Sequence, residues 1–279
     1  MSVETIQQLS KTLPSTTRMP VLFLGHGSPM NAIEENEFVK GFRRTAAELP
    51  TPRAILCISA HWETPGTFVT AMDQPPTIHD FGGFPDALYQ VQYPAKGSPA
   101  LAQETKETVK KATVELDYKW GLDHGAWSVI KHLYPKADIP VIQMSLDYRQ
   151  PPQYHYELAK EISVLRDKGV LIVGSGNMVH NLRMIAWNKF HEDNFAFDWA
   201  EEASLKMKRF ILEGDHQSLI RYQQQGQAFQ MAIPSPEHYL PLLYTLALKD
   251  NKDAVTLFND KAVAGSLTMT SVKIVASGA

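Results

Sequence analysis

Four short apolar runs constrain this chain more than any other feature. Residues 21–24 (VLFL), 54–59 (AILCIS), 140–145 (PVIQMS) and 170–174 (VLIVG) are almost continuously hydrophobic, and each gives way to Gly, Ser, Asp or His. Runs this short are too brief for helices. Their lack of polar alternation marks strands covered on both faces. The segments between them carry helical spacing. Residues 35–49 present Phe38, Phe42 and Ala46 on one face and stop at Pro50. Residues 99–112 begin on Pro99, and further helical segments are expected at 126–133 and 154–167. Beyond residue 190 the pattern becomes helical, at 195–212, 217–224 and 237–248. Residues 88–93 (LYQVQY) alternate as a half-buried strand would, and 254–258 and 266–275 are expected to be closing strands. Repeated strand–helix units predict an α/β fold with helices on both faces of one sheet. The 279 residues contain no internal repeat and no Gly/Ser linker. We therefore expect a single domain over residues 19–279, preceded by a flexible N-terminal tail at 1–18.

Composition excludes several classes of protein. The single cysteine, Cys57, rules out a disulfide framework and a cysteine-based zinc cluster, and its place in AILCISA marks it as a buried small hydrophobe. Lys+Arg 27 against Asp+Glu 30 leaves a net charge of −3 with no basic block, so nucleic acid is not an expected partner. No apolar stretch approaches the ~20 residues of a membrane span, and the polar N-terminus has no signal-peptide core. A cytoplasmic protein is expected, with no membrane association and no protein partner indicated.

Ten histidines remain to be explained. Three follow expected strands: His26 in FLGHGSP, His61 in CISAHWE and His180 in GSGNMVHNL. Ligand sites in open α/β sheets lie beyond the carboxyl ends of strands, so residues far apart in sequence can meet there. His124 in GLDHGAW and His238 in SPEHYLP stand beside expected helix starts. Neutral imidazole is a ligand for Zn, Fe and Cu, and no thiolate competes for the role. Any one of these histidines has the plainer reading of a hydrogen-bonded loop residue. His79 with Asp80 is read either as a ligand and its orienting carboxylate or as a turn-stabilising pair. His132, His155, His191 and His216 fall on polar helical segments and are expected on solvated faces. GHGSP and GSGNM match neither GxGxxG nor GxxxxGK[ST], and no GxSxG elbow is present. Trp62, Phe81, Phe84, Trp127 and Tyr239 lie near these motifs, as pocket walls or as core; Trp127 is the first candidate for a wall.

Taken together, GHGSPMNAI, SAHWET, IHDFGGFP, GLDHGAW and GSGNMVHNL resemble the class III extradiol ring-cleavage dioxygenases, in the DOPA 4,5-dioxygenase branch. The resemblance spans about residues 25–241 and implies one α/β domain with a central mixed sheet flanked by helices. It implies that His26 and His61 are metal ligands, that His180 is the acid/base beside the metal, and that His124 contacts substrate and oxygen. By the same likeness His238 is the third ligand, with the adjacent Glu237 as the alternative. The implied reaction opens a catechol such as L-DOPA between carbons 4 and 5 with O2, giving 4,5-seco-DOPA, a muconic semialdehyde. It requires one divalent metal, expected as Zn2+ in isolated protein and as Fe2+ for turnover. A zinc-dependent hydrolase on the same histidines and a non-catalytic metal-binding protein are the competing readings.

Overall fold

The computed structural model describes residues 18–276, so the expected tail lies outside the described residues except for Arg18. In chain order the elements are β1 (Val21–Gly25), α1 (Glu37–Ala47), β2 (Ala54–Thr64), β3 (Thr67–Thr70), α2 (Asp86–Tyr89) and α3 (Pro99–Thr108). Next come β4 (Val114–Asp117), α4 (His124–Leu133), β5 (Val141–Asp147), α5 (Pro152–Glu161) and β6 (Val170–Gly176). A helical stretch follows, α6 (Asp198–Glu213), α7 (His216–Ile220), α8 (Gln227–Ala232) and α9 (Leu240–Ala247). The chain closes through β7 (Asp253–Phe258), β8 (Ala262–Val263), β9 (Leu267–Thr268) and β10 (Ser271–Ala276).

Eight strands form one mixed sheet in the order β4-β3-β5-β2-β6-β1-β10-β7. Its centre, β5-β2-β6-β1, is parallel; β10 pairs antiparallel with β1, and β7 antiparallel with β10. The apolar runs are continuous because both faces are covered. Val21 and Phe23 of β1, Leu56 and Ile58 of β2, and Val170 and Ile172 of β6 enter one core. Leu22 and Leu24, Ile55 and Cys57, and Leu171 and Val173 enter the other. The second core is closed by α1 and α4, which contribute Phe42, Trp127 and Ile130. The first is closed largely by α5, α6 and α9. Each such side chain contributes about 1.5–3 kcal/mol on full burial, so neither layer is dispensable.

Several boundaries differ from expectation. Residues 88–93 are not a strand: Pro85 opens the single turn α2, and the alternation reflects burial of Leu88 and Tyr93 on an irregular segment. The expected strand 266–275 is broken into β9 and β10, with Met269 donating its N–H to the Lys261 carbonyl between them. β3 and β4, short and Thr- or acid-containing, gave no apolar run. Helix α9 starts at Leu240 and leaves Glu237 and His238 in the preceding loop. His132 and His155 are buried rather than solvated. His132 Nε2 meets the Asn31 carbonyl at 2.7 Å, and His155 Nδ1 meets the Tyr244 hydroxyl at 3.2 Å.

Candidate metal centre

Strand register assembles the site. In the parallel centre of the sheet Leu24, Ser175 and Ser59 stand level on β1, β6 and β2. Two residues further on, the same row reads His26, Asn177 and His61. Side chains two apart share a face, so His26 and His61 emerge on the side where Ser175 points. His238 is brought to the middle of this row by its backbone, because the Asn177 N–H donates to the His238 carbonyl at 2.9 Å. That approach requires Gly176, where a Cβ would lie 2.1 Å from the His238 carbonyl oxygen. The Gly residues around these strand ends thus serve close backbone packing. His124 is the first residue of α4, whose N-cap Asp123 accepts from the Ala126 N–H. Asp123 is itself buried and held by Ser59 Oγ at 2.6 Å and Gln143 Nε2 at 2.7 Å. Gly125 follows because a Cβ there would meet Ser59 Oγ at 2.5 Å and the His61 ring at 2.7 Å.

The five histidines singled out from the sequence share one cavity of about 930 Å3. The ring centroids of His26, His61 and His238 form a nearly equilateral triangle with sides of 5.1, 5.2 and 4.9 Å. His124 stands closer to His61, at 3.8 Å, than to His26, at 6.0 Å. His180 stacks on His238 with centroids 3.6 Å apart and planes at 6°. By ligand-atom distance, His26, His61 and His124 lie within 4.8 Å of one another, and so do His180, Glu237 and His238.

Hydrogen bonding orients the rings. Ser175 Oγ donates to the Gly125 carbonyl at 2.5 Å, so at 3.0 Å it accepts from His26 Nδ1–H and leaves the Nε2 lone pair free. His238 Nδ1 faces Glu237 Oε1 at 3.1 Å. Asp80 Oδ2 lies 2.9 Å from His124 Nδ1 and 3.6 Å from His61 Nδ1. Asp80 is thus an orienting carboxylate, but for His124, with His61 only within ion-pair distance; its sequence neighbour His79 instead contacts the Val91 carbonyl at 2.9 Å. Three rings, His26, His124 and His238, turn Nδ1 outward to an oxygen at hydrogen-bond distance, as metal-ligating imidazoles with oxygen partners do.

Burial keeps His26, His61, His180 and His238 neutral. It lowers His26 and His238 well below the ordinary imidazole range, with the neighbouring histidines adding to the effect. His61 is lowered to about 3, by burial and then by His124, against Asp80 and Glu237. His180 is lowered to about 4, chiefly by burial. Burial would raise Asp80, but hydrogen bonding and charge from His124 bring it below its usual value.

These donors fit a divalent metal. Two ring nitrogens each about 2.05 Å from one tetrahedral ion stand about 3.3 Å apart, with ring centroids about 5.2 Å apart. The His26 and His61 Nε2 atoms are 3.3 Å apart, and the triangle sides match the centroid spacing. A Zn, Fe or Cu ion suits an all-nitrogen set of this kind.

The aromatic residues divide. Phe81 and Phe84 line the cavity. Trp127 is fully buried, its Nε1–H donating to the Ile78 carbonyl at 2.8 Å, and Tyr239 is core. Trp62 stacks on Trp120 outside the cavity lining. Sequence reasoning missed Ser175, Asn177 and the wall formed by Leu182, Ile185, Trp187 and Phe190.

A mixed α/β sheet with a histidine cluster at the ends of its central parallel strands has a candidate metal centre where α/β enzymes bind their ligands. The family model for the catalytic LigB subunit of aromatic ring-opening dioxygenase matches residues 17–272, and this chain belongs to that family. A protein of Escherichia coli K12 described as 4,5-DOPA dioxygenase extradiol is 46% identical over 264 residues, 93% of this chain and 96% of the relative. One of the same description from Beta vulgaris is 35% identical, covering 90% of this chain and 94% of its own length. The crystal structure of an uncharacterised Escherichia coli K12 protein superposes with a TM-score of 0.79 at 40% identity, covering 92% of this chain and 99% of the other. The chain is therefore an extradiol-type ring-opening dioxygenase rather than a zinc hydrolase or a non-catalytic metal binder. Among the described residues no helix is long and apolar enough to cross a membrane.

Proposed function

We propose that this protein opens the ring of a catechol such as L-DOPA between carbons 4 and 5, giving 4,5-seco-DOPA. Both atoms of O2 enter the product, so the reaction balances without an added reductant. The observation that carries the proposal is the triangle of His26, His61 and His238, three neutral imidazoles spaced for one metal, in a cavity that also holds His124 and His180. The relatives described as DOPA dioxygenases support the substrate.

We assign His26, His61 and His238 as the metal ligands, because the His238 ring centroid stands at similar distances from the other two, whereas His124, although its ligand atom lies within 4.8 Å of theirs, crowds His61 and is tied to Asp80 through Nδ1. Bound there, Fe2+ would hold the catechol oxygens and O2 on one face and let electron density pass between them. Zn2+, which binds imidazole sites more tightly but has no redox chemistry, is the ion expected in isolated protein. His180, neutral at working pH, accepts the proton released by a catechol hydroxyl and returns it as the ring opens. His124, backed by Asp80, keeps Nδ1 occupied and offers its other nitrogen to the substrate and oxygen side.

The test is anaerobic reconstitution with Fe2+, then L-DOPA and O2, followed by oxygen uptake and the yellow of a ring-opened product. No uptake across a panel of catechols refutes the reading. His26→Ala, His61→Ala and His238→Ala are expected to lose the metal. His124→Ala and His180→Ala are expected to keep it while turnover falls by about 10²–10⁴. Loss of metal from His124→Ala with retention by His238→Ala would reverse the third-ligand assignment.

A further inference from the structure

The cavity is larger than a single-ring amino acid needs. At about 930 Å3 it lies near the top of the roughly 300–1,000 Å3 range in which drug-sized ligands are held. The histidines occupy one part of it. Another part is walled by Leu182, Ile185, Trp187 and Phe190, from the irregular stretch that follows His180. Three of these side chains are left open to solvent: Trp187 is 73% exposed, Leu182 58% and Phe190 37%. Trp187 stacks on Phe190 with centroids 6.0 Å apart and planes at 13°. Large apolar side chains exposed together on the wall of a catalytic cavity mark a surface that a ligand covers.

Charge narrows the ligand. Lys261 is the one Lys or Arg among the described lining residues, and its Nζ is already held by Glu37 at 2.9 Å and Asp193 at 2.7 Å. Glu34, Glu37, Glu192 and Asp193 also line the cavity, so a purely anionic substituent finds no unpaired cationic side chain there.

We infer that the preferred substrates are catechols carrying a bulky, uncharged apolar substituent, whose ring sits at the histidines and whose tail lies along Leu182, Trp187 and Phe190. The inference rests on the ring-opening reading and names the substrate class for it. L-DOPA then fills the inner part of the cavity and leaves the apolar wall uncovered.

The experiment compares kcat/KM for 4-methylcatechol and 4-benzylcatechol on the Fe2+-loaded enzyme, alongside calorimetric titration of metal-free protein with both. Kcat/KM is expected to be roughly tenfold or more higher for the benzyl compound, the order of discrimination one buried apolar group supplies. The preference should be expressed mainly in KM. Trp187→Ala is expected to bring the ratio to within about threefold of unity. A folding defect lowers both activities together and leaves the ratio intact, so an unchanged ratio in Trp187→Ala overturns the assignment of the wall. Equal kcat/KM and equal binding for the two catechols overturn the inference while the ring-opening reading stands. If neither catechol is opened but metal-free protein binds the benzyl compound more tightly, and Trp187→Ala abolishes that difference, the inference holds and the ring-opening reading fails.

Discussion

Replacing Ser175 by Ala tests whether the tautomer of His26 is held by the sheet. Ser175 is fully buried, and its hydroxyl joins His26 Nδ1 at 3.0 Å to the Gly125 carbonyl at 2.5 Å. Removing the oxygen leaves the buried His26 Nδ1–H without a partner, while the Gly125 carbonyl keeps its place in the α4 hydrogen-bond ladder. The loss is about 1–3 kcal/mol. For a chain of 279 residues that corresponds to a fall in Tm of about 2–5 °C. The more specific effect falls on the metal. Without Ser175, His26 can place its proton on Nε2, the atom facing His61, and a protonated nitrogen cannot ligate. Losing a ligand's hydrogen-bond partner typically weakens metal binding by about 10–100-fold. Competition for Zn2+ against a chromophoric chelator measures this. Histidine-selective ¹⁵N NMR of the metal-free protein reports whether the His26 proton remains on Nδ1. A variant that keeps the Nδ1–H form and binds Zn2+ within about twofold of the parent would refute the reasoning.

Two further outcomes follow from packing and burial. Gly176→Ala drives a Cβ to 2.1 Å from the His238 carbonyl. It is expected to cost about 1–3 kcal/mol in thermal or denaturant unfolding, and to weaken Zn2+ binding by displacing His238; unchanged Zn2+ affinity would show that the loop shifts without moving the ring. Metal-free protein should lose stability as pH falls from 7 toward 4. The unfolded chain takes up protons near the ordinary imidazole value of about 6.5, whereas burial holds His61 near about 3 and His180 near about 4. Stability is therefore complete above the unfolded value and declines as pH drops toward the folded values. A flat Tm between pH 7 and 5 would contradict neutral buried rings.

The central strands and the five histidines were legible in the sequence for one reason: a strand buried on both faces leaves an uninterrupted apolar run, and whatever follows its carboxyl end stands out. Short strands without an uninterrupted apolar run leave no such mark, so β3 and its edge neighbour β4 are not visible in the sequence. The segment around Leu88 misled because burial at two points mimics alternation. Partners distant in sequence were illegible. Asp80 was noticed beside His79, yet it serves His124, which is 44 residues away by its N–H contact to the same carboxylate. Ser175, inside an apolar run, looked like a strand residue, and only its register against Leu24 and Ser59 shows why it is a hydroxyl. Trp127 and His155 carried polar atoms whose partners lie on other elements, so neither could be recognised as core.

The row across β1, β6 and β2 also fixes when the site comes into being during synthesis. His26 and His61 emerge from the ribosome early, but the strand that lies between theirs ends only at Gly176, and His238 follows later still. No nascent fragment that stops short of the loop before α9 can present the full triangle. Contacts of such long range form late, after loop closure has brought the ends together. On the proposed ligand set, the complete three-nitrogen site therefore exists only in a chain synthesised and folded through His238.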